Sequence, residues 1–325
     1  MSIYAESLLP RLLLGFVCLG LTWLACAAIG GRFWMASALM GMSVALYGLA
    51  APWFFVGSGR PRDLFLYDTL PRVVGSVGGA AVCFLFPSPV LYAFVQILSV
   101  LVVILSSTRC ICHNPRQLHL GRFSDALRRL ASNRSAVGMS LIASLFFAFP
   151  LILVGAIEPS AKLEFALADR IQKWSNTGAS PVVQTLQGWI PSGGRVRSRA
   201  RKGLFSAFLV AASGSAFLCL LGGRLAILMS QNSVSISWGT QSAMAIIFGC
   251  VLVSNVSGAG VLAALGESRG MLVSTLFGAL IGLALIVPLL IAFGAAGAMW
   301  AVAVSQVLVV LVQLELVRRS LDGRC

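Results

Sequence analysis

Apolar runs of about 20 residues, the helix length that crosses about 30 Å of hydrocarbon, recur from one end of this sequence to the other. The soluble alternative would have to bury nearly everything: 58% of the 325 residues are hydrophobic and 10% are charged, where soluble domains carry about 25% charged residues. The pattern predicts an all-α integral membrane protein. About ten spans are expected, at 12–29, 33–56, 64–86, 90–107, 137–157, 160–190, 203–221, 237–265, 271–293 and 298–317. They group into an N-terminal bundle, 1–136, that ends in the basic loop 108–136, and a C-terminal six-helix bundle, 137–325.

Loop charge sets the orientation. With the N-terminus placed inside, 18 of the 24 Lys and Arg fall in inside segments, including Arg60 and Arg62, six arginines from Arg109 to Arg134, and the run from Arg195 to Lys202. The outside loops hold two, Arg32 and Arg224. Basic loops stay cytoplasmic, so both termini are expected there, and the net charge of +14 follows from topology rather than from a nucleic-acid partner. The bias holds only if the weakly apolar segment 160–190 crosses. Arg11, the first apolar run and Ala25-Cys26-Ala27 also fit a cleavable signal peptide; cleavage would leave the later parity unchanged, so charge counting does not decide it.

The segment 160–190 is also the richest in polar groups. As a helix it lines up Asp169, Lys173, Asn176, Ser180, Gln184 and Gln187 in one stripe, which Pro181 would bend. A charge at the bilayer centre costs about 2.5–3.5 kcal/mol unless it faces protein, water or a partner. Asp169 and Lys173, four residues apart, offset that cost for each other. Arg170 has no such partner and stays available to an anion. The competing expectation is an amphipathic helix lying flat on the membrane surface, which the charge parity opposes.

A second stripe holds Asp68, Arg72 and Ser76. Either Arg72 faces a cavity and holds phosphate, or it pairs with Asp68 near the cytoplasmic end. Ser254, Asn255 and Ser257 fall within span 237–265 and either line the same cavity or bond neighbouring helices. Gly75/Gly79 and Gly278/Gly282 allow close helix approach, and Gly57-Ser-Gly-Arg60 echoes Gly266-Glu-Ser-Arg269, as repeated halves do. Cys110, Cys112, His113 and His119 supply the count for a zinc site, but the Cys-x-Cys spacing is too tight for the usual one. Free thiols are expected, with no metal and no cofactor. Neither His lies in a span, and there is no Gly-x-Ser-x-Gly, His-Glu-x-x-His or nucleotide-binding loop, so the chain is not expected to be an enzyme.

Three stretches carry a resemblance: Ala51-Pro-Trp-Phe-Phe-Val-Gly-Ser-Gly-Arg-Pro-Arg62 leading to Leu70-Pro-Arg72; Ala166-Leu-Ala-Asp-Arg-Ile-Gln-Lys173; and Asn255 through Ala264-Leu-Gly-Glu-Ser-Arg269 followed by Gly294-Ala-Ala-Gly-Ala298. In this order the chain resembles the Wzx-type polysaccharide or O-antigen flippases of the multidrug/oligosaccharidyl-lipid/polysaccharide exporter superfamily. Those proteins have twelve helices in two bundles around a cavity, so the ten expected here align as helices three to twelve, with the N-terminal half incomplete. The resemblance implies a multi-pass protein of the bacterial inner membrane that exports a polyprenyl-diphosphate-linked oligosaccharide to the outer leaflet. It carries a diphosphate-binding role to Arg170, through Asp-Arg-Ile-Gln, and to Arg72, through Leu-Pro-Arg; the polar stripe adds Lys173, Asp169 to hold it, and Asn176, with membrane lipids and polysaccharide polymerase machinery as candidate partners. Three alternatives remain: a cation-coupled drug antiporter of the same superfamily, a truncated non-transporting partner of a polysaccharide assembly complex, and a membrane glycosyltransferase, for which the outside loops are too short.

Overall fold

In the computed structural model, residues 2–29, 31–112, 128, 148–192 and 196–322 are described, and those with secondary structure are helical. The chain divides into two compact units, Met1–Val137 and Gly138–Cys325.

In the first unit, α1 (Ser2–Ile29) packs on α2 (Trp34–Tyr47), α2 on α6 (Pro89–Ile111), and α6 on α5 (Leu70–Leu85). Two short helices, α3 (Pro52–Gly57) and α4 (Pro61–Leu64), join α2 to a π-helical turn, Phe65–Thr69, that runs into α5. Pro71 explains part of this irregularity. It has no N–H to offer the carbonyl of Tyr67 four residues back, and Ser106 of α6 donates to that carbonyl instead, at 3.1 Å. Ser99 Oγ likewise donates to the Pro71 carbonyl at 2.9 Å. The close approach that allows this comes from Gly75, whose added Cβ would lie 2.3 Å from Ser99.

The second unit is built around α10 (Trp238–Asn255). Ser237 caps it, its hydroxyl accepting from the Thr240 N–H at 3.3 Å. Together with the π-helical turn Val256–Leu262 it forms the apolar stretch Trp238–Leu262, most of it buried within the protein. Around it pack α8 (Lys162–Trp189), α9 (Val196–Met229) and α11 (Ser268–Asp322); α7 (Ala148–Ile157) precedes α8. At about 1.5 Å per residue a straight α11 would be far longer than a bilayer is thick. Gly294, at φ 60° and ψ −140°, turns it back on itself. Gly278 then lies against Ser305 and Val309, and Gly270 against Leu316, so the arms on either side of Gly294 run antiparallel.

The ends of α3 and of the Val256–Leu262 turn share one geometry. Gly59 (φ 65°) and Gly266 (φ 82°) are left-handed. In each case the following N–H reaches back five residues, Arg60 to the Phe55 carbonyl and Glu267 to the Leu262 carbonyl, both at 2.9 Å. The sequence echo around Arg60 and Arg269 marks two equivalent helix ends.

The expected count of about ten spans is not confirmed. Six helices among the described residues are long and apolar enough to cross a membrane: Ser7–Ala28, Trp34–Gly57, Pro89–Ile111, Val196–Met229, Trp238–Leu262 and Arg269–Asp322. The last contains two expected spans, 271–293 and 298–317, as the arms of one hairpin. Spans 64–86 and 160–190 are helical but too polar to qualify, and most of 137–157 lies outside the described residues. The break expected between 271–293 and 298–317 falls at Gly294, where the chain reverses.

Candidate functional site

Helix α8 holds four of the five residues singled out from the sequence. At its start, Glu164 Oε1 accepts from the Ser237 N–H at 2.8 Å and the Thr240 hydroxyl at 2.7 Å, at the N-terminus of α10. Near its end, Gln187 Nε2 donates to the Asn255 carbonyl at 3.1 Å, at the C-terminus of α10. The two helices therefore run side by side in the same direction. A helix matched end to end with a buried apolar span does not lie flat on a surface. Pro181 leaves the Thr177 carbonyl without its usual donor, and Ser180 Oγ takes that place at 2.7 Å, so the helix continues through the proline.

Phe165, Ala168, Ile171, Gln172 and Val183 form the buried seam of α8. The polar stripe runs along its flank, and its members are half-buried. Within it, Lys173 Nζ donates to Asp169 Oδ2 at 2.6 Å. Asp169 also borders a cavity of about 20 Å³, lined with Gln172, Gln306, Pro150, Phe165, Ile247, Met299 and Val302. That is room for about one water, not for a substrate. Gln172 is 3% exposed and its Nε2 has no partner among the described residues, so a water bridging Gln172, Asp169 and Gln306 would satisfy it. Asn176 is half-buried one turn beyond Lys173.

Arg170 lies elsewhere on the helix. It is exposed, and its guanidinium sits over the Trp174 ring at 5.2 Å from the centroid. Among the described residues no carboxylate is paired with it. One helix thus presents a neutralised pair, Asp169–Lys173, and beside it an arginine with free donors.

Arg72, in the other unit, is engaged. Its Nη2 donates to Asp68 Oδ2 at 2.7 Å, and its guanidinium stacks over Tyr47 at 4.7 Å. Tyr47 also donates its hydroxyl to Asp68 Oδ1 at 3.2 Å. Of the two alternatives for Arg72, the structure has the ion pair. Ser257 bonds a neighbouring helix, donating to Gln313 at 2.8 Å, while Asn255 is exposed and only its backbone carbonyl receives Gln187. Cys112 packs with Tyr4, Phe55 and Ile111, with Cys110 against the same cluster; His113 and His119 lie outside the described residues.

Sequence reasoning missed Glu164, Gln172, Gln306 and Tyr47. Ser237 and Thr240 in cap spacing mark where α10 starts, but nothing local marks Glu164 as their partner. Tyr47 is 21 residues from Asp68 and becomes its neighbour only through tertiary packing.

Helices of this length and composition, paired in this way, define a multi-pass helical membrane protein. Its fold is that of the MATE transporters. A crystal structure of a MATE mutant superposes with a TM-score of 0.71 at 13% identity, covering 99% of this chain and 78% of that one. An inward-facing structure of a multidrug-resistance MATE family transporter of the MOP superfamily gives 0.66 at 13% identity, covering 99% and 81%. No family model matches the sequence, and no curated protein matches it. The likeness is one of fold.

Proposed function

We propose that the protein is a transporter that carries an anionic amphiphile, a polyprenyl-diphosphate-linked oligosaccharide, to the outer leaflet of a bacterial inner membrane. The observation that carries this is Arg170: an exposed guanidinium over the Trp174 ring, with no acid paired to it among the described residues. Arginine stays protonated in a membrane and grips phosphate oxygens in pairs. In this reading Lys173 adds a second cation, Asp169 fixes its position, and Asn176 serves a sugar hydroxyl. Orientation is supported by the second unit's helix ends. Arg197, Arg199, Arg201, Lys202, Arg269, Arg318 and Arg319 gather where α8 ends and α9 begins, while the opposite ends carry Glu158, Lys162, Glu164 and Arg224. The basic end faces the cytoplasm.

A second reading, a cation-coupled drug antiporter, is favoured by Asp169 beside its water-sized cavity. Wild-type protein in liposomes separates the two. The account expects a fluorescent polyprenyl-diphosphate oligosaccharide to become accessible to a membrane-impermeant quencher, with no uptake of a cationic dye against a proton or sodium gradient. Dye transport without lipid translocation would replace this reading with the antiporter.

A further inference from the structure

We propose that the basic end of the second unit carries another phosphate-binding station, built by Arg199, Trp189 and Ser192, which receives the substrate's headgroup before Arg170 does. The proposal rests on the functional reading above and adds a site to it.

Both places have an arginine guanidinium over an indole. Arg199 sits over the Trp189 ring at 5.3 Å, as Arg170 sits over Trp174 at 5.2 Å. Arg199 is further oriented by its Nη1, which donates to the Trp189 carbonyl at 3.2 Å and to Ser192 Oγ at 2.9 Å. Neither arginine has a carboxylate partner among the described residues. An indole over a guanidinium leaves N–H donors at its edge, and in Arg199, whose Nη1 is already used, Nε and Nη2 remain to fit two phosphate oxygens. The indole itself offers an apolar plane to the first carbons of a lipid chain.

Position supports a sequence of use. Leu163, Arg170, Trp174, Thr177, Pro181, Thr185 and Trp189 are all exposed along α8. Trp174 and Trp189 are fifteen residues apart, about 22 Å along a helix, so one station lies within the helix and the other at its basic end. Between them, Thr177 and Thr185 turn their hydroxyls back to the Lys173 and Pro181 carbonyls, which leaves this flank without a charge that would trap the anion midway. Arg197, Arg201 and Lys202, all exposed beside Arg199, raise the local concentration of an anion. Tryptophans at membrane interfaces also serve as plain anchors; an anchor binds no phosphate.

The test is native mass spectrometry of the full chain titrated with undecaprenyl monophosphate, with inorganic diphosphate as a second probe. The wild type is expected to take two equivalents, Arg199→Gln one, Arg170→Gln one, and the double variant none. Arg199→Lys keeps the charge but not the fork, so its adduct should weaken about tenfold; it carries the test if Arg199→Gln fails to fold. Adducts with the lipid alone identify a headgroup, and adducts with diphosphate identify a soluble phosphate. Two equivalents on both Arg199 variants would overturn the station and leave the Arg170 reading standing. An adduct lost only with Arg199 would keep the station and remove Arg170 from the substrate path. No adduct on the wild type would end both.

Discussion

Asp68–Arg72 in the first unit and Asp169–Lys173 in the second are each an acid and a base four residues apart, acid first, close to a helical proline, yet the two pairs live in different surroundings. Asp68 is 2% exposed, and Arg72 and Tyr47 close over it. Asp169 is 20% exposed, its partner Lys173 is 40% exposed, and the carboxylate borders a cavity of about 20 Å³. The spacing makes the pair in both cases. The neighbours decide the rest: one pair is locked into the packing of α2 and α5, and the other is left within reach of water and ligand.

The sharpest way to break this contrast is to remove the cation from each pair. Arg72→Ala strands a buried carboxylate with Tyr47 as its remaining partner and should cost about 3–5 kcal/mol. Lys173→Ala leaves a half-open carboxylate and should cost about 1 kcal/mol or less. Thermal unfolding in detergent, followed by the fraction that elutes as monodisperse protein, reads both. Equal losses would mean that the surroundings do not matter as argued.

A smaller effect is expected at the chain reversal of α11. Gly294 lies in a region of backbone space open to glycine and closed to side chains, so Gly294→Ala should cost about 1–3 kcal/mol. The first unit makes its comparable reversal, between α5 and α6, with Pro87 and Pro89 and extended backbone at Phe86 and Ser88, so Ser88→Ala should leave the melting temperature nearly unchanged.

The smallest contrast concerns the two proline carbonyls. Ser106→Ala orphans the Tyr67 carbonyl in a packed helix pair and should cost about 1 kcal/mol. Ser180→Ala does the same on a more exposed helix, where water can substitute, and should cost less than about 0.5 kcal/mol. Double variants with Pro71→Ala and Pro181→Ala restore the missing N–H and should recover most of each loss.

Much of this was legible in the sequence because it is local. The apolar runs, the acid–base spacing, the polar stripe of α8 and the paired Gly–Arg helix ends all depend on residues within a turn or two of one another. What escaped depends on distant residues. Tyr47 over Asp68, Glu164 on the start of α10, and Gln306 beside Gln172 are joined only by tertiary packing. Span counting meets a related limit: hydropathy scores a helix alone, while α8 is made tolerable by α10 beside it.

The central claim is that Arg170, not the neighbouring acid, handles the substrate. The measurement is translocation of a fluorescent polyprenyl-diphosphate oligosaccharide in proteoliposomes carrying equal amounts of wild type, Arg170→Ala, Arg170→Lys and Asp169→Asn. The account predicts at least about a tenfold loss for Arg170→Ala, partial recovery for Arg170→Lys, and a mild effect for Asp169→Asn. Full translocation by well-incorporated Arg170→Ala, with the loss confined to Asp169→Asn, would contradict it.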